Sequence, residues 1–257
     1  MKYLAFIITA ITGLMLFSVL KDLPAWGDGS SPANSYVSSY YLENSMKDTH
    51  VPNVVTTVLA DYRGFDTMFE TGVVFVAVIG IMAILRRNND EASGGTGDDQ
   101  APPYNPPDGF ILREAARLII PFMQMFALYV IAHGHHSPGG GFQGGVILGA
   151  SLILIALTSD LKSALGKLCE TKFIIFAAGG FGIFAGVGLL CLIYGGNFLD
   201  YSAYAPLIDG VFHGDPAIMA RYHGMLWVEI GVGFTVMSAM FAIYSYLSSN
   251  GRLDRGL

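Results

Sequence analysis

Charge is scarce in this sequence. Asp, Glu, Lys and Arg make up 13% of its 257 residues and hydrophobic residues 53%, with a mean hydropathy of +0.50. That balance excludes an ordinary soluble domain and predicts a polytopic, all-α integral membrane protein. Cysteine is scarcer still. Cys169 and Cys191 fall at opposite ends of one predicted spanning helix, so they should not pair, and no CxxC exists. Without a cysteine cluster or haem motif, the chain is not expected to carry electrons itself. No GxGxxG or GKS/GKT follows a strand, so no phosphate loop is expected. There is no nucleophile–base motif and no basic patch for nucleic acid.

The sequence is instead rich in apolar runs near the ~20 residues that cross a bilayer as a helix. Six are predicted, over about Tyr3–Leu20, Phe65–Leu85, Phe110–His133, Gly140–Leu157, Phe173–Tyr194 and Met225–Leu247. Lys-Asp-Leu-Pro after the first run lacks a small-residue cleavage pattern, so that run reads as a retained helix and not a signal peptide. Val51–Asp61 is apolar but too short to span, which predicts an interfacial or re-entrant helix at about 51–61. The Ser/Tyr-rich segment 21–50, with Trp26 and Tyr40-Tyr41, is expected at the membrane surface. Residues 86–109, with their charges, glycines and Pro-Pro pairs, read as a hydrophilic linker. The linker divides a two-helix unit, 1–85, from a four-helix unit, 110–257. With the N-terminus inside, ten Lys and Arg face the cytoplasm and only Lys21, Lys47, Arg63 and Arg221 face outward. The positive-inside bias therefore predicts that both termini are cytoplasmic.

The chain is organised around His133-Gly-His-His-Ser-Pro-Gly-Gly-Gly-Phe-Gln-Gly-Gly145. Pro138 cannot continue a helix, and Gly139, Gly140 and Gly141 accept the angles of a tight reversal. Gly141, Gly145 and Gly149 then recur every fourth position, a face that lets another helix approach closely. Gly182 and Gly186 predict a second such face. His133, His135 and His136 could ligate a metal or shuttle protons. The stretch has no Cys or carboxylate to complete a ligand set, so no metal site is expected there, and hydrogen bonding to the hairpin backbone is the plainer role.

The carboxylates are few enough to weigh singly. Asp66 and Glu70 lie four apart at the opening of the second span, on one helix face. Carboxylates are costly in lipid, so both must face protein or water, and mutual repulsion would suit a proton relay, with neighbouring Asp61 and Arg63 as further ion-route candidates. The plainer alternative is helix-end electrostatics: Asp66 sits near the N-terminus, and Arg63 pairs with it or with Asp61. Glu229 is a lone carboxylate near the predicted start of the last span, and is an ion-route candidate on that ground. Glu114 and Arg117 are predicted to form a local ion pair.

These residues carry a resemblance. Arg117–Ala150, with Pro-Phe-Met-Gln-Met-Phe-Ala-Leu-Tyr followed by the Pro-Gly-Gly-Gly-Phe hairpin, resembles the B subunit of Mrp-type multisubunit Na+/H+ antiporters, the MnhB family. Glu229-Ile-Gly-Val232 resembles the acidic-x-Gly-Val element of the last helix in that family, where Asp is commoner. Asn53-Val-Val and Asp61-Tyr-Arg-Gly-Phe-Asp-Thr resemble the C-terminal end of the Mrp A subunit, equivalent to the small E subunit of membrane-bound hydrogenases. The loops 21–50 and 195–224 match no family pattern.

The resemblance implies a multi-pass subunit in the cytoplasmic membrane of a prokaryote, not an enzyme by itself, with no cofactor of its own and with Na+ and H+ as the transported ions. It places the family's acidic pair on Asp66 and Glu70. It implies partners among A- and D-like large antiporter subunits and C-, E-, F- and G-like small ones. The large ion-translocating part of the Mrp A subunit is absent. That arrangement looks like an Mrp module attached to a hydrogenase-type or other redox complex. The alternative is a scaffold subunit of a stand-alone antiporter.

Overall fold

A computed structural model describes residues 2–86, 110–251 and 253, so the hydrophilic linker, Arg86 apart, lies outside the described residues. Every regular element among these residues is helical: α1 (Lys2–Val19), α2 (Ser38–Thr49), α3 (Val54–Thr57), α4 (Gly64–Leu85), α5 (Phe110–Ala132), α6 (Gly141–Thr158), α7 (Leu161–Lys167), α8 (Glu170–Ile193), α9 (Ala205–Ile208) and α10 (Pro216–Ser248). Six of them, α1, α4, α5, α6, α8 and α10, are long and apolar enough to cross a membrane. The six predicted spans are therefore present, each where hydropathy put it to within a few residues at all ends but one.

The exception is α10. It begins nine residues before the predicted Met225, because Asp215 caps it by accepting from the Ala217 amide and Pro216 occupies the first turn. Polar His213, Arg221 and His223 hid this start from a hydropathy reading. Glu229 consequently lies in the middle of the helix and not near its beginning. Further helical pieces were not predicted: short turns at Leu20–Asp22 and Ala33–Val37 and then α2 in the surface segment, α7 in the loop after α6, and a 3-10 turn (Tyr201–Tyr204) running into α9.

Packing divides the chain into two compact units, Met1–Asn44 and Ser45–Leu257. The first contains α1, which is apolar on every face, and the start of α2. In the second, α10 is the central and most buried span, with α8, α6 and α4 around it and α5 behind α6. Contacts thus group Ser45–Leu85 with the helices that follow the hydrophilic stretch.

Two buried clusters run along α10. Near its C-terminal half, Phe173, Phe241 and Tyr246 pack with Val78 and Met82. The Phe173 and Phe241 rings meet edge to face at 6.0 Å. Around its N-terminal half, Phe184, Met225, Val228 and Val232 pack with Tyr201 and Tyr204.

Glycines set how closely these helices approach. A Cβ on Gly141 would overlap the Glu229 carbonyl oxygen, one on Gly145 would sit 2.7 Å from the Gly233 carbonyl oxygen, and one on Gly149 would sit 2.8 Å from the Met240 Cβ. The predicted α6 face is therefore a close-packing face, and its neighbour is α10 of the same chain. The face predicted at Gly182 and Gly186 differs: among the described residues nothing lies within 4 Å of a Cβ on either. On α8 the close approaches fall instead on Gly180, against Gly231 and Thr235, and Gly188, against Phe198.

Candidate functional site

The predicted reversal between α5 and α6 forms as expected from its residues. Gly140 has φ +130°, open to glycine and strained for other residues, and its amide returns to the Val130 carbonyl at 3.2 Å. This turn does not stand free. The short helical segment before α4, from Asn53 through Tyr62, lies against it and is bonded to it at several points. Asn53 caps α3 with its carbonyl oxygen, which accepts from the Val55 amide. Its side-chain amide donates to the Gly134 and Ser137 carbonyls at 2.8 and 2.9 Å, and its backbone amide donates to the His135 carbonyl at 3.0 Å. The Thr56 hydroxyl donates to Gly134 as well, at 2.7 Å.

The far end of the same segment is fixed differently. Asp61 accepts two hydrogen bonds from Arg221 of α10, at 2.7 and 2.8 Å, a bidentate pair that is mostly buried. The Tyr201 hydroxyl donates to the Ala60 carbonyl at 2.8 Å, and the Tyr204 hydroxyl to the Ala220 carbonyl at 2.6 Å. Burial raises both phenols well above their ordinary titration range, so both remain donors. The segment expected to be interfacial or re-entrant is thus a clamped strip between the α5–α6 turn and α10.

Beneath the strip lies a cavity of about 230 Å3. Glu229 of α10, Glu70 of α4, Thr56 and Thr67 line it, together with Gly139, Gly140 and Gly141 of the turn. Glu229 is only 8% exposed, and its Oε2 makes no hydrogen bond with any described residue. The turn glycines make room for this carboxylate. A Cβ on Gly134 would stand 2.7 Å from Oε2, and one on Gly140 would stand 2.8 Å from Oε1.

The remaining predicted residues have separate places. Asp66 pairs with Arg63, whose Nε donates to it at 2.6 Å, and both side chains are more than half exposed. Asp66 therefore does not share the cavity with Glu70. His133 stacks on Tyr129 at 4.0 Å, with its Nδ1 3.2 Å from the Tyr129 carbonyl. The His136 Nε2 is 3.1 Å from the Tyr222 hydroxyl. His135 is 2% exposed, packs edge-on to Tyr222, and its Nε2 has no partner among the described residues. Burial, and then the nearby His136 and His223, hold its pKa down at about 4, so this ring is neutral near pH 7. Among the described residues no three His, Cys, Asp or Glu side chains are placed to hold a metal ion. Glu114 and Arg117 form the predicted local pair, at 2.6 Å.

Sequence reasoning named Asn53 only as part of the resemblance and Arg221 only in the charge count, and it did not single out Thr56, Tyr201 or Tyr222. Asn53 had a signal, an amide residue just before an apolar run, which is where helix caps sit. Arg221 had none, since its partner lies 160 positions away.

This architecture, six apolar helices with a carboxylate buried at a glycine-built turn, is that of a multi-pass membrane subunit. Residues 111–242 match the family described as a domain related to the MnhB subunit of Na+/H+ antiporters, and the chain belongs to that family. Residues 7–97 match a second description, the E subunit of MBH. Among relatives, the chain is 34% identical over 92 residues to the B subunit of a Bacillus subtilis Na+/H+ antiporter, a match covering 36% of this chain and 64% of that one. It is 32% identical over 133 residues to the mnhB2 antiporter subunit of Staphylococcus haemolyticus, covering 51% of this chain and 92% of that one. Against the A/B subunit of a K+/H+ antiporter of Rhizobium meliloti the identity is 28% over 138 residues, and the match spans only 14% of that longer protein.

Two solved structures extend the likeness to nearly the whole chain. A chain of the membrane-bound sulfane sulfur reductase, an archaeal respiratory membrane complex, superposes with a TM-score of 0.60 at 26% identity, covering 96% of this chain and 97% of that one. A chain of the Mrp complex from Dietzia sp. superposes with a TM-score of 0.64 at 26% identity, covering 99% of this chain and 26% of that one. The protein is thus an MnhB-family chain with six helices long and apolar enough to span a membrane.

Proposed function

We propose that this subunit carries part of a Na+ or H+ route in an Mrp-type antiporter module, through Glu70 and Glu229. The observation that supports the reading is the shared cavity. Two carboxylates from different helices open into one space, and no residue lining it is Lys, Arg or His. Ionisable groups at membrane depth are costly unless paired, and neither of these has an ion-pair partner among the described residues. Asp61, Arg63 and Asp66, proposed from sequence as further members, serve as the route's clamped rim: Asp61 is held by Arg221, and Arg63 by Asp66. The chain holds no redox centre in this reading and moves ions only beside larger antiporter subunits. Its likeness to a chain of a respiratory membrane complex supports a redox-coupled setting, and its equal identity to a chain of an Mrp complex supports the alternative of a stand-alone antiporter.

The test is transport by the intact complex in vesicles, followed with a pH-sensitive dye on Na+ addition. Glu229→Gln and Glu70→Gln keep shape while removing the charge and the exchangeable proton. Each should abolish most cation-coupled proton movement with every subunit still present, and Glu70→Asp should keep part of it. Full transport in an assembled double variant would leave the chain as a scaffold.

A further inference from the structure

We infer that the Thr56 hydroxyl reads the protonation state of Glu229 and passes it to the clamp between the Asn53–Tyr62 strip and the α5–α6 turn. The inference rests on Glu229 exchanging a proton, as proposed above. It goes further by assigning Thr56 as a positioning residue that couples this exchange to the cover of the cavity.

Counting protons carries the inference. Thr56 Oγ1 has three polar neighbours: the Gly134 carbonyl at 2.7 Å, the Asn53 amide nitrogen at 3.0 Å, and the Glu229 carboxylate, to which it is hydrogen-bonded. The Asn53 amide nitrogen also reaches the Gly134 and Ser137 carbonyls, at 2.8 and 2.9 Å. Asn53 has two amide protons and Thr56 has one, fewer than these contacts could use. The network therefore has two arrangements, and Glu229 selects between them. With Glu229 ionised, the carboxylate only accepts, so Thr56 donates to it and Asn53 alone holds the Gly134 and Ser137 carbonyls. With Glu229 protonated, the carboxyl donates to Thr56 Oγ1 and the Thr56 proton turns to the Gly134 carbonyl. That carbonyl then accepts from Asn53 and Thr56 together, one bond for each lone pair.

The switch needs a hydroxyl to rotate and no backbone to move. A hydroxyl both donates and accepts, whereas a backbone carbonyl only accepts and the Asn53 amide nitrogen only donates. Thr56 belongs to the strip and lines the cavity beneath it, so a proton on Glu229 adds a bond between strip and turn. The cover is tied down while Glu229 holds its proton and loosened once the proton has left. Other titratable groups around Glu229 are few. Glu70 lines the same cavity from α4, and Asp61 of the strip is committed to Arg221 of α10. The turn brings His135 and His136 against Tyr222 of α10, with His223 beside it. From α8 the cavity receives only Phe184.

The experiment is infrared difference spectroscopy of the intact complex, grown with 1-13C-glycine so that glycine carbonyls absorb apart from the others. The pH is stepped upward from about 5.5, where His135 is already neutral. In wild type a glycine carbonyl band should move to higher frequency as the Glu229 carboxyl band, identified by its loss in Glu229→Gln, disappears. That shift should be absent in Glu229→Gln and Thr56→Val, and present in Thr56→Ser and Glu70→Gln. If Thr56→Val does not assemble, Thr56→Ala takes its place with the same expectation. Hydrogen bonds to an ionised acceptor are roughly twice as strong as neutral ones, so losing the hydroxyl disfavours the carboxylate. Thr56→Val should therefore raise the pH midpoint of cation-coupled proton movement by about one unit, and Thr56→Ser should restore it. A glycine shift that survives the loss of the hydroxyl, or none in wild type, overturns the switch. Transport lost in Glu229→Gln without a glycine shift in wild type would keep the route and remove the switch. The shift in wild type with unimpaired transport in Glu229→Gln would keep the switch and remove the route.

Discussion

Four carboxylates crowd one end of the second unit, and they fall into two kinds. Asp61 and Asp66 each answer to an arginine, at 2.7 and 2.6 Å. Glu70 and Glu229 open into a cavity lined by no basic residue. A carboxylate tied to a guanidinium keeps its charge and its position, because arginine does not give up its proton. Such a group is good for holding backbone in place and poor at exchanging cargo. An unpaired carboxylate in a glycine-lined space is the reverse. On the proposed reading, fastening and exchange fall to different carboxylates within a few residues of the same motif, so an acidic cluster read from sequence need not be one functional unit.

The largest effect should come from filling the space that keeps Glu229 unpaired. Gly141 has no room for a side chain, since its Cβ would overlap the Glu229 carbonyl oxygen. Gly141→Leu must push α6 off α10, at about 3 kcal/mol or more. Little intact complex should be recovered, as judged by size-exclusion chromatography. Gly182→Leu, on the open face of α8, is the control and should leave the chain's own thermal unfolding within about 0.5 kcal/mol of wild type. Equal damage from both would mean that glycine count, and not this contact, matters.

The next effect tests the fastened side. Asp61→Asn leaves Arg221 partly buried with its charge unmatched. Fully buried pairs cost ~3–5 kcal/mol to break, and this one is partly exposed, so about 2 kcal/mol is expected. The strip should loosen, with faster hydrogen exchange at Ala60–Tyr62, while an assembled complex still transports. Transport lost in Asp61→Asn but kept in Glu229→Gln would invert the comparison.

Much of this arrangement was legible in sequence, in a graded way. Hydropathy over about twenty residues located all six spans, because burial of apolar surface in lipid depends on composition alone. The start of α10 was missed because hydropathy outweighed a cap signal, Asp215-Pro216, that the sequence does contain. The spacing of Gly141, Gly145 and Gly149 correctly marked a close-packing face, yet Gly182 and Gly186 have the same spacing and meet nothing among the described residues. Small-residue spacing reports that a helix can be approached, not that one approaches. Residues at the centre of the site were partly named in advance: Glu70 and Glu229 stood out as costly charges. Their convergence, and the clamp by Asn53, Thr56 and Arg221, depend on contacts 78 to 160 positions apart, for which a single sequence has no signal.

A third, smaller effect concerns pH at the turn that borders the cavity. Burial lowers the His135 pKa from 6.5 to about 4. An opened turn exposes that imidazole and lets it titrate near 6.5, so opening takes up a proton between those two values. The closed turn is at full strength above pH 6.5 and weakens progressively as pH falls towards 4. Exchange at the Gly134–Ser137 amides, corrected for its intrinsic pH dependence, should rise across that window. His135→Gln should flatten the response. A flat profile in wild type would show that the ring stays in contact with water.

The smallest effect belongs to the exposed pair, and it sets the boundary of the site. Asp66 and Arg63 sit three apart with side chains 60% and 58% exposed, so solvent and salt screen their attraction. Pairs of this kind are worth ~0.2–1 kcal/mol, and Asn in the first turn of α4 keeps some of the favourable helix-end interaction that Asp supplies. Asp66→Asn should therefore lower thermal stability by no more than about 0.5 kcal/mol, less at high ionic strength. If exchange is confined to the cavity carboxylates, vesicle transport in Asp66→Asn should stay within about twofold of wild type, against near-complete loss in Glu70→Gln. The two residues are one helical turn apart and carry the same charge, so unequal outcomes would locate the route by the arginine that one of them has and the other lacks. Equal loss from both would extend the route outward along α4 and merge the two kinds of carboxylate into one.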